Sequence, residues 1–213
     1  MKKERMNRML TIIVILLIII GVVLIWFHIP YSPVKKEFSK DIEALKRENR
    51  LGQQGCLFKR EDFSQLPIAI QRYIDYCGYI GTPQMSYLKM EYRDVNFMQG
   101  KTGPTLKIDY TQYDFVESPC RMALIDSKMF GVPFEGYDYY RNGTGGMKGV
   151  IAKGITLFDQ TGPQMDKACL VTYLAECMFA PTGLLQDYIS FEQISDYEVK
   201  ATICYEGQTA SGI

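Results

Sequence analysis

Ser86-Tyr-Leu-Lys-Met-Glu-Tyr-Arg-Asp-Val-Asn-Phe97 sets Leu88, Met90 and Tyr92 alternately with Lys89, Glu91 and Arg93. A period of two puts each set on its own face of an extended chain, which predicts a half-buried β-strand over 86–97. Thr105–Val116 repeats the pattern, with Leu106, Ile108 and Tyr110 opposite Lys107 and Asp109. Gly100-Lys-Thr-Gly-Pro104 supplies the intervening turn. Further strands are expected at Arg121–Phe130 and Gly136–Arg141, joined through Gly131-Val-Pro-Phe-Glu135. Asn142-Gly143 is a strong hairpin turn, because both residues accept the left-handed backbone that a two-residue loop needs. Met147–Phe158 follows as a strand, its glycines at 149 and 154 marking bulges or bends. Strands at Tyr188–Ile194 and Glu198–Tyr205 come last.

Helices flank this meander. Arg60–Gln65 reads as a short turn, and Leu66-Pro67 opens a helix whose apolar positions Ile70, Tyr73, Ile74 and Cys77 recur at helical spacing until Gly78 and Gly81 stop it. A second helix runs over Lys167–Met178, capped by Asp166, with Leu170, Tyr173, Leu174 and Cys177 on one stripe. Helices, a meander, a helix and more strands in this order predict an α+β domain over 55–213, a curved antiparallel sheet with helices on one face. Glu206–Gly212 reads as a hairpin turn whose return strand would begin at Ile213, so the expectation is a domain truncated at its C-terminus.

Before the domain, Met9–Phe27 (MLTIIVILLIIIGVVLIWF) is apolar and uncharged. As a helix it covers roughly 28 Å, the depth of a bilayer's hydrocarbon core. A cleaved signal peptide needs a shorter core and a small-residue site, whereas this run exits through Trp26-Phe27-His28-Ile29-Pro30-Tyr31. An uncleaved transmembrane anchor over 9–29 is expected, with Trp26, Phe27 and Tyr31 among the headgroups. Lys2, Lys3, Arg5 and Arg8 make residues 1–8 a basic tail, against Lys35, Lys36 and Lys40 beyond the span. That bias points to a cytoplasmic N-terminus, a plasma-membrane location and an extracytoplasmic body. Val34–Arg50 alternates charges at helical spacing. It reads as a solvated helical stalk over 30–54, or as a basic face resting on anionic headgroups.

Of 24 basic and 24 acidic residues, four and one lie in the tail, leaving 20 and 23 beyond it. A near-neutral body without a basic stripe argues against nucleic acid as a partner. His28, at the membrane boundary, is the sole histidine, which excludes the usual histidine-dependent triads and histidine-bound zinc from the body. No cofactor is implied: Asn142-Gly-Thr-Gly-Gly146 resembles a phosphate cradle, but no helix starts after it. Six cysteines (56, 77, 120, 169, 177, 204) permit either buried thiols or disulfides in an oxidising compartment.

Two carboxylates stand in apolar surroundings, Asp138 and Glu176. As an acid and base pair they would serve a hydrolase. Otherwise Glu176 is a structural acid paired with an arginine or lysine, such as Arg141 or Lys148, and Asp138 a strand-end or solvent-facing group. Fifteen tyrosines and eleven phenylalanines serve either as core or as the lining of an apolar groove. The lining would be Tyr87, Tyr92, Tyr110, Tyr137 and Tyr139, with Arg72, Asp138 and Glu176 as a polar cluster at its floor or mouth.

Three motifs carry a resemblance: Leu66-Pro-Ile-Ala-Ile-Gln-Arg-Tyr-Ile74, Gly136-Tyr-Asp-Tyr-Tyr-Arg-Asn-Gly-Thr-Gly-Gly-Met-Lys-Gly149, and Leu170-Val-Thr-Tyr-Leu-Ala-Glu-Cys-Met-Phe-Ala-Pro-Thr-Gly-Leu-Leu185. From about Phe58 onward the chain resembles a family of uncharacterised bacterial proteins described only as a domain of unknown function. Family features match at Arg72-Tyr73, Asp138-Tyr139, Glu176 and Pro181. Cys177 and Met178 replace a common bulky aromatic, and the closing strands are missing. The resemblance implies a lipoprotein-carrier-like half-barrel and transfers no activity. The expected function is binding of a lipid, another apolar ligand or an envelope component, without catalysis. The competing classes are a carboxylate hydrolase and a scaffold for membrane proteins.

Overall fold

The structure, a computed structural model, describes residues 2–49, 55–98, 103 and 105–213. Most of the expected Gly100–Pro104 turn and the far end of the expected stalk lie outside the described residues. Helix α1 (Lys2–His28) carries the apolar run, and from Glu4 to Ile25 its side chains are exposed. It is long and apolar enough to cross a membrane.

Helix α2 (Pro33–Glu48) begins at Ser32, whose hydroxyl accepts from the Lys35 N–H at 3.1 Å, with Pro33 at the first helical position. This segment is helical as expected, but it is not a stalk. Val34, Phe38, Ile42 and Leu45 recur every three to four residues and are buried against Tyr113, Phe115, Met122, Tyr137 and Val150 of the sheet. Burying four such side chains is worth roughly 6–12 kcal/mol before entropy. The charges that read as solvent-facing have partners on the sheet: Lys35 with Asp126 at 2.5 Å, Glu37 with Lys148 at 2.5 Å, and Glu48 with Arg141 at 2.9 Å. Exposed ion pairs add little, so the apolar stripe decides where α2 sits.

Six strands form one antiparallel meander in chain order: β1 (Tyr87–Met98), β2 (Thr105–Phe115), β3 (Cys120–Met129), β4 (Val132–Arg141), β5 (Thr144–Ile151) and β6 (Ile155–Thr161). The antiparallel α+β expectation is met. Segment 132–135 is strand rather than connection, leaving only Phe130-Gly131 to turn the chain. The expected strand Met147–Phe158 is a hairpin, because Ala152 and Lys153 adopt φ of 52° and 64° and reverse it. Asn142 and Gly143 form the expected turn, at φ of 51° and 75°.

Helix α3 (Ile68–Cys77) ends at left-handed Gly78. Helix α4 (Pro163–Glu176) starts at Gly162 rather than at Asp166. Asp166 instead accepts the Gly145 N–H at 2.7 Å, fastening α4 to β5. Gly145 permits this approach, since a Cβ there would lie 2.7 Å from the Cys169 Cβ. Strands β7 (Ile189–Gln193), β8 (Val199–Tyr205) and β9 (Gln208–Gly212) make a second sheet. The return strand thought missing is β9: Glu206-Gly207 complete the turn at positive φ, and Gln208 already pairs with Tyr205.

Helices therefore cover both faces of the six-stranded sheet, not one. On the second face α3, α4 and the small sheet share a core around Ile74, Tyr140, Leu170, Tyr173, Leu184 and Ile203. The cysteines are free thiols, with Cys120, Cys169 and Cys177 buried.

Candidate functional site

Register assembles the polar centre of the protein. Asp114 lies opposite Arg121, which lies opposite Tyr140; Gln112 lies opposite Ala123, which lies opposite Asp138. Paired residues share a face, so Tyr110, Gln112, Asp114, Arg121 and Asp138 point to the α4 side of the sheet. The last turn of α4 then delivers Glu176 from the opposite direction.

Arg121, 4 % exposed, is the hub. Its Nη1 donates to Asp138 Oδ2 at 2.5 Å, its Nε to Glu176 Oε2 at 2.8 Å, and its Nη2 to the Tyr110 hydroxyl at 2.5 Å and Gln112 Oε1 at 3.2 Å. Gln112 Nε2 donates to Glu176 at 2.6 Å and to both oxygens of Asp114 at 2.8 and 2.9 Å. Asp114 is 2 % exposed, and burial, reinforced by the Glu176 charge, pushes its carboxyl up to about 7. Burial also raises Tyr110 and pushes the Cys169 thiol, 3.9 Å from Asp138 Oδ1, up to about 11.

Asp138 and Glu176 are thus brought together, but on one guanidinium. Glu176 is a paired structural acid whose partner is Arg121 rather than Arg141 or Lys148. Both carboxylates accept charge-assisted bonds from Arg121. Among the described residues no group of three or more His, Cys, Asp or Glu is arranged to hold a metal ion.

The proposed tyrosine lining is not assembled. Tyr92 and Tyr110 pair on the α4 face at 6.1 Å between rings. Tyr87, Tyr137 and Tyr139 lie on the opposite face: Tyr87 packs at a tilt against Tyr113 and Phe115, and Tyr137 donates to Asp41 of α2 at 2.7 Å. The sheet separates the two sets, because odd and even positions of β4 point apart. Tyr137 and Tyr139 border a polar cavity of about 460 Å³ between α2 and the sheet, beside Glu37, Arg141 and Lys148.

Arg72 is remote from Asp138 and Glu176. It lies on α3, where Nη1 donates to the Asp196 carbonyl at 3.2 Å and the guanidinium sits 5.7 Å from the Tyr197 ring centre. Tyr197 borders an open, largely apolar groove of about 600 Å³ between α3, α4 and the second sheet, lined by Tyr73, Val171, Leu174, Met178 and Phe191 among others. Of the expected site only Arg72 comes near the groove, through its contact with Tyr197. Sequence reasoning missed Arg121, Gln112 and Asp114. The signal was there: Gln112 and Asp114 put consecutive polar groups on a strand face that should be apolar. The groove lacks such a signal, since its lining comes from α3, α4, Met178 after α4 and all three strands of the second sheet.

No curated protein and no solved structure matches the chain. A family model described as a family of unknown function, DUF6544, matches residues 57–213, the part that holds the sheets, α3, α4 and both sites just described. With that match extending over most of its length, the chain belongs to DUF6544.

Proposed function

We propose that this is a single-pass plasma-membrane protein with a cytoplasmic N-terminus, whose extracytoplasmic domain binds an apolar, lipid-like ligand without catalysis. The groove carries this reading. Its volume of about 600 Å³ lies within the ordinary range for small-molecule sites, and its lining is mainly apolar, with Glu198 as its charged side chain and Arg72 behind Tyr197. An acyl chain fits the lining. The basic tail Lys2–Arg8 supports the orientation. The second sheet touches the meander at its far turns, through Gln208 to the Gly143 carbonyl and Tyr188 to the Val116 carbonyl. Helix α1 meets the opposite end, at Ala152. A ligand would therefore reach the groove from outside the bilayer. The Arg121 cluster then acts as the brace that holds α4, one wall of the groove, to the sheet.

The test is native mass spectrometry of the full chain in mild detergent, comparing the wild type with Val171→Trp and Ala175→Trp. Both positions are exposed and line the groove, so an indole fills it without disturbing the core. The wild type should retain a lipid-mass adduct that both variants lose. Equal adducts in all three, or none in the wild type, would refute the reading.

A further inference from the structure

The end of the meander nearest α1 carries features that folding does not explain. The clamp between α1 and the sheet is specific. Trp26 Nε1 donates to the Ala152 carbonyl at 3.1 Å. The Lys153 ammonium, on a residue 5 % exposed, donates to the carbonyl of Trp26 at 2.9 Å and to that of Ile29, and lies 5.6 Å from the Trp26 ring centre. Lys153 thus satisfies carbonyls freed where α1 ends, and fixes the β5–β6 turn at the level where α1 stops.

That turn is braced to its neighbour, since the Ala152 N–H donates to the Pro133 carbonyl at 2.8 Å. Antiparallel succession puts the β3–β4 turn at this same end of the sheet. There Met129 pairs with Val132, so Phe130-Gly131 form a two-residue loop with φ of 52° and 81°. Such a loop favours asparagine, aspartate or glycine at its first position. It holds phenylalanine instead, in a left-handed backbone and 99 % exposed. Met98 at the end of β1 and Ile155 at the start of β6 are also exposed at this end, at 61 % and 62 %. Exposed Lys128 stands two residues before the tip.

We propose that the β3–β4 tip is a second membrane contact, with Phe130 inserted into the interface of the leaflet from which α1 emerges and Lys128 at the lipid phosphates. The occupant is the bilayer, because the clamp at Trp26 and Lys153 already sets this end of the sheet at the helix exit. An aromatic tip beside a lysine is the side-chain chemistry of that interface. The proposal rests on α1 spanning the membrane. The domain then stands on the lipid at two points, with its turn end down and the groove away from the surface.

Phe130→Trp in the full chain, reconstituted in phosphatidylcholine–phosphatidylglycerol vesicles, tests this by indole quenching. Some vesicles carry phosphatidylcholine brominated near the top of its acyl chains. Wild-type fluorescence reports Trp26, the only native tryptophan, and it should be quenched. The added indole of the variant should emit blue-shifted relative to a water-exposed one and be quenched to a similar fraction. If Trp26 is quenched while the added indole emits as in water and is unaffected, the tip proposal is overturned and the spanning helix stands. If neither is quenched, both fall.

Discussion

Asp114→Asn isolates the electrostatics of the Arg121 cluster. In the folded protein this carboxyl is held near 7 against an ordinary 3.8, with desolvation the main cause and the Glu176 charge the second. A carboxyl raised by folding binds its proton more tightly in the native state. Its contribution to stability is therefore fully present below pH about 4 and is lost as pH rises through about 7. The whole change is about 4 kcal/mol, and rather more than half of it falls between pH 5 and pH 8. Asparagine keeps the shape and an oxygen to accept from Gln112 Nε2, and it carries no charge to desolvate. Thermal unfolding of the full chain in neutral detergent at pH 5 and pH 8 provides the assay. At roughly 2–4 °C per kcal/mol for a domain of this size, the wild type should lose about 5–10 °C more than Asp114→Asn between the two pH values. Shifts at carboxyls remote from Asp114 cancel in that difference. Parallel pH profiles, or a variant melting lower by the same amount at both pH values, would show that Asp114 is an ionised anchor, and the argument would fail.

The packing of α2 makes a sharper demand than a stalk would. Phe38→Ala should lower unfolding stability by about 3–5 kcal/mol in denaturant titration, whereas a solvated stalk would give almost no change. For the same reason a fragment starting at residue 55, close to the family boundary, should bind a hydrophobic dye through its bared Tyr113–Phe115 face, and one starting at Ser32 should not. Lys153→Ala leaves the Trp26 and Ile29 carbonyls unpaired and should cost about 1–3 kcal/mol, seen as faster proteolysis between Ile29 and Ser32. An unchanged cleavage rate would mean that the clamp does not hold. Gly145→Ala drives a methyl into Cys169 and to 3.0 Å from the Met165 carbonyl. It should lower stability by about 1–3 kcal/mol in a thermal melt, and wild-type stability would show that α4 sits farther from β5.

Much of the local structure could be read from residues a few positions apart. The period of two in Leu88, Met90 and Tyr92, the Asn142-Gly143 turn and the uninterrupted apolar run from Met9 each declare an element from its own chemistry. Boundaries were less legible where a signal was ambiguous. The glycines at 149 and 154 suggested a bent strand, because nothing local announces that Ala152 and Lys153 take a left-handed backbone. The charges of α2 hid its apolar stripe, since their partners Asp126, Arg141 and Lys148 lie about 90 or more residues away.

The sequence alone determined a lipid-compatible helix, the alternation that makes a meander, and the absence of histidine chemistry from the body. Which face of each strand meets what was decided by tertiary structure. Alternation separates Tyr137 from Asp138, yet it does not say that α2 covers one and α4 approaches the other. Only strand register places Asp114 and Asp138 around Arg121, and only the docking of α4 adds Glu176. The groove likewise exists because α3, α4 and a second sheet converge. Burial and pairing energies act between residues far apart in the chain, so no local pattern encodes where they meet.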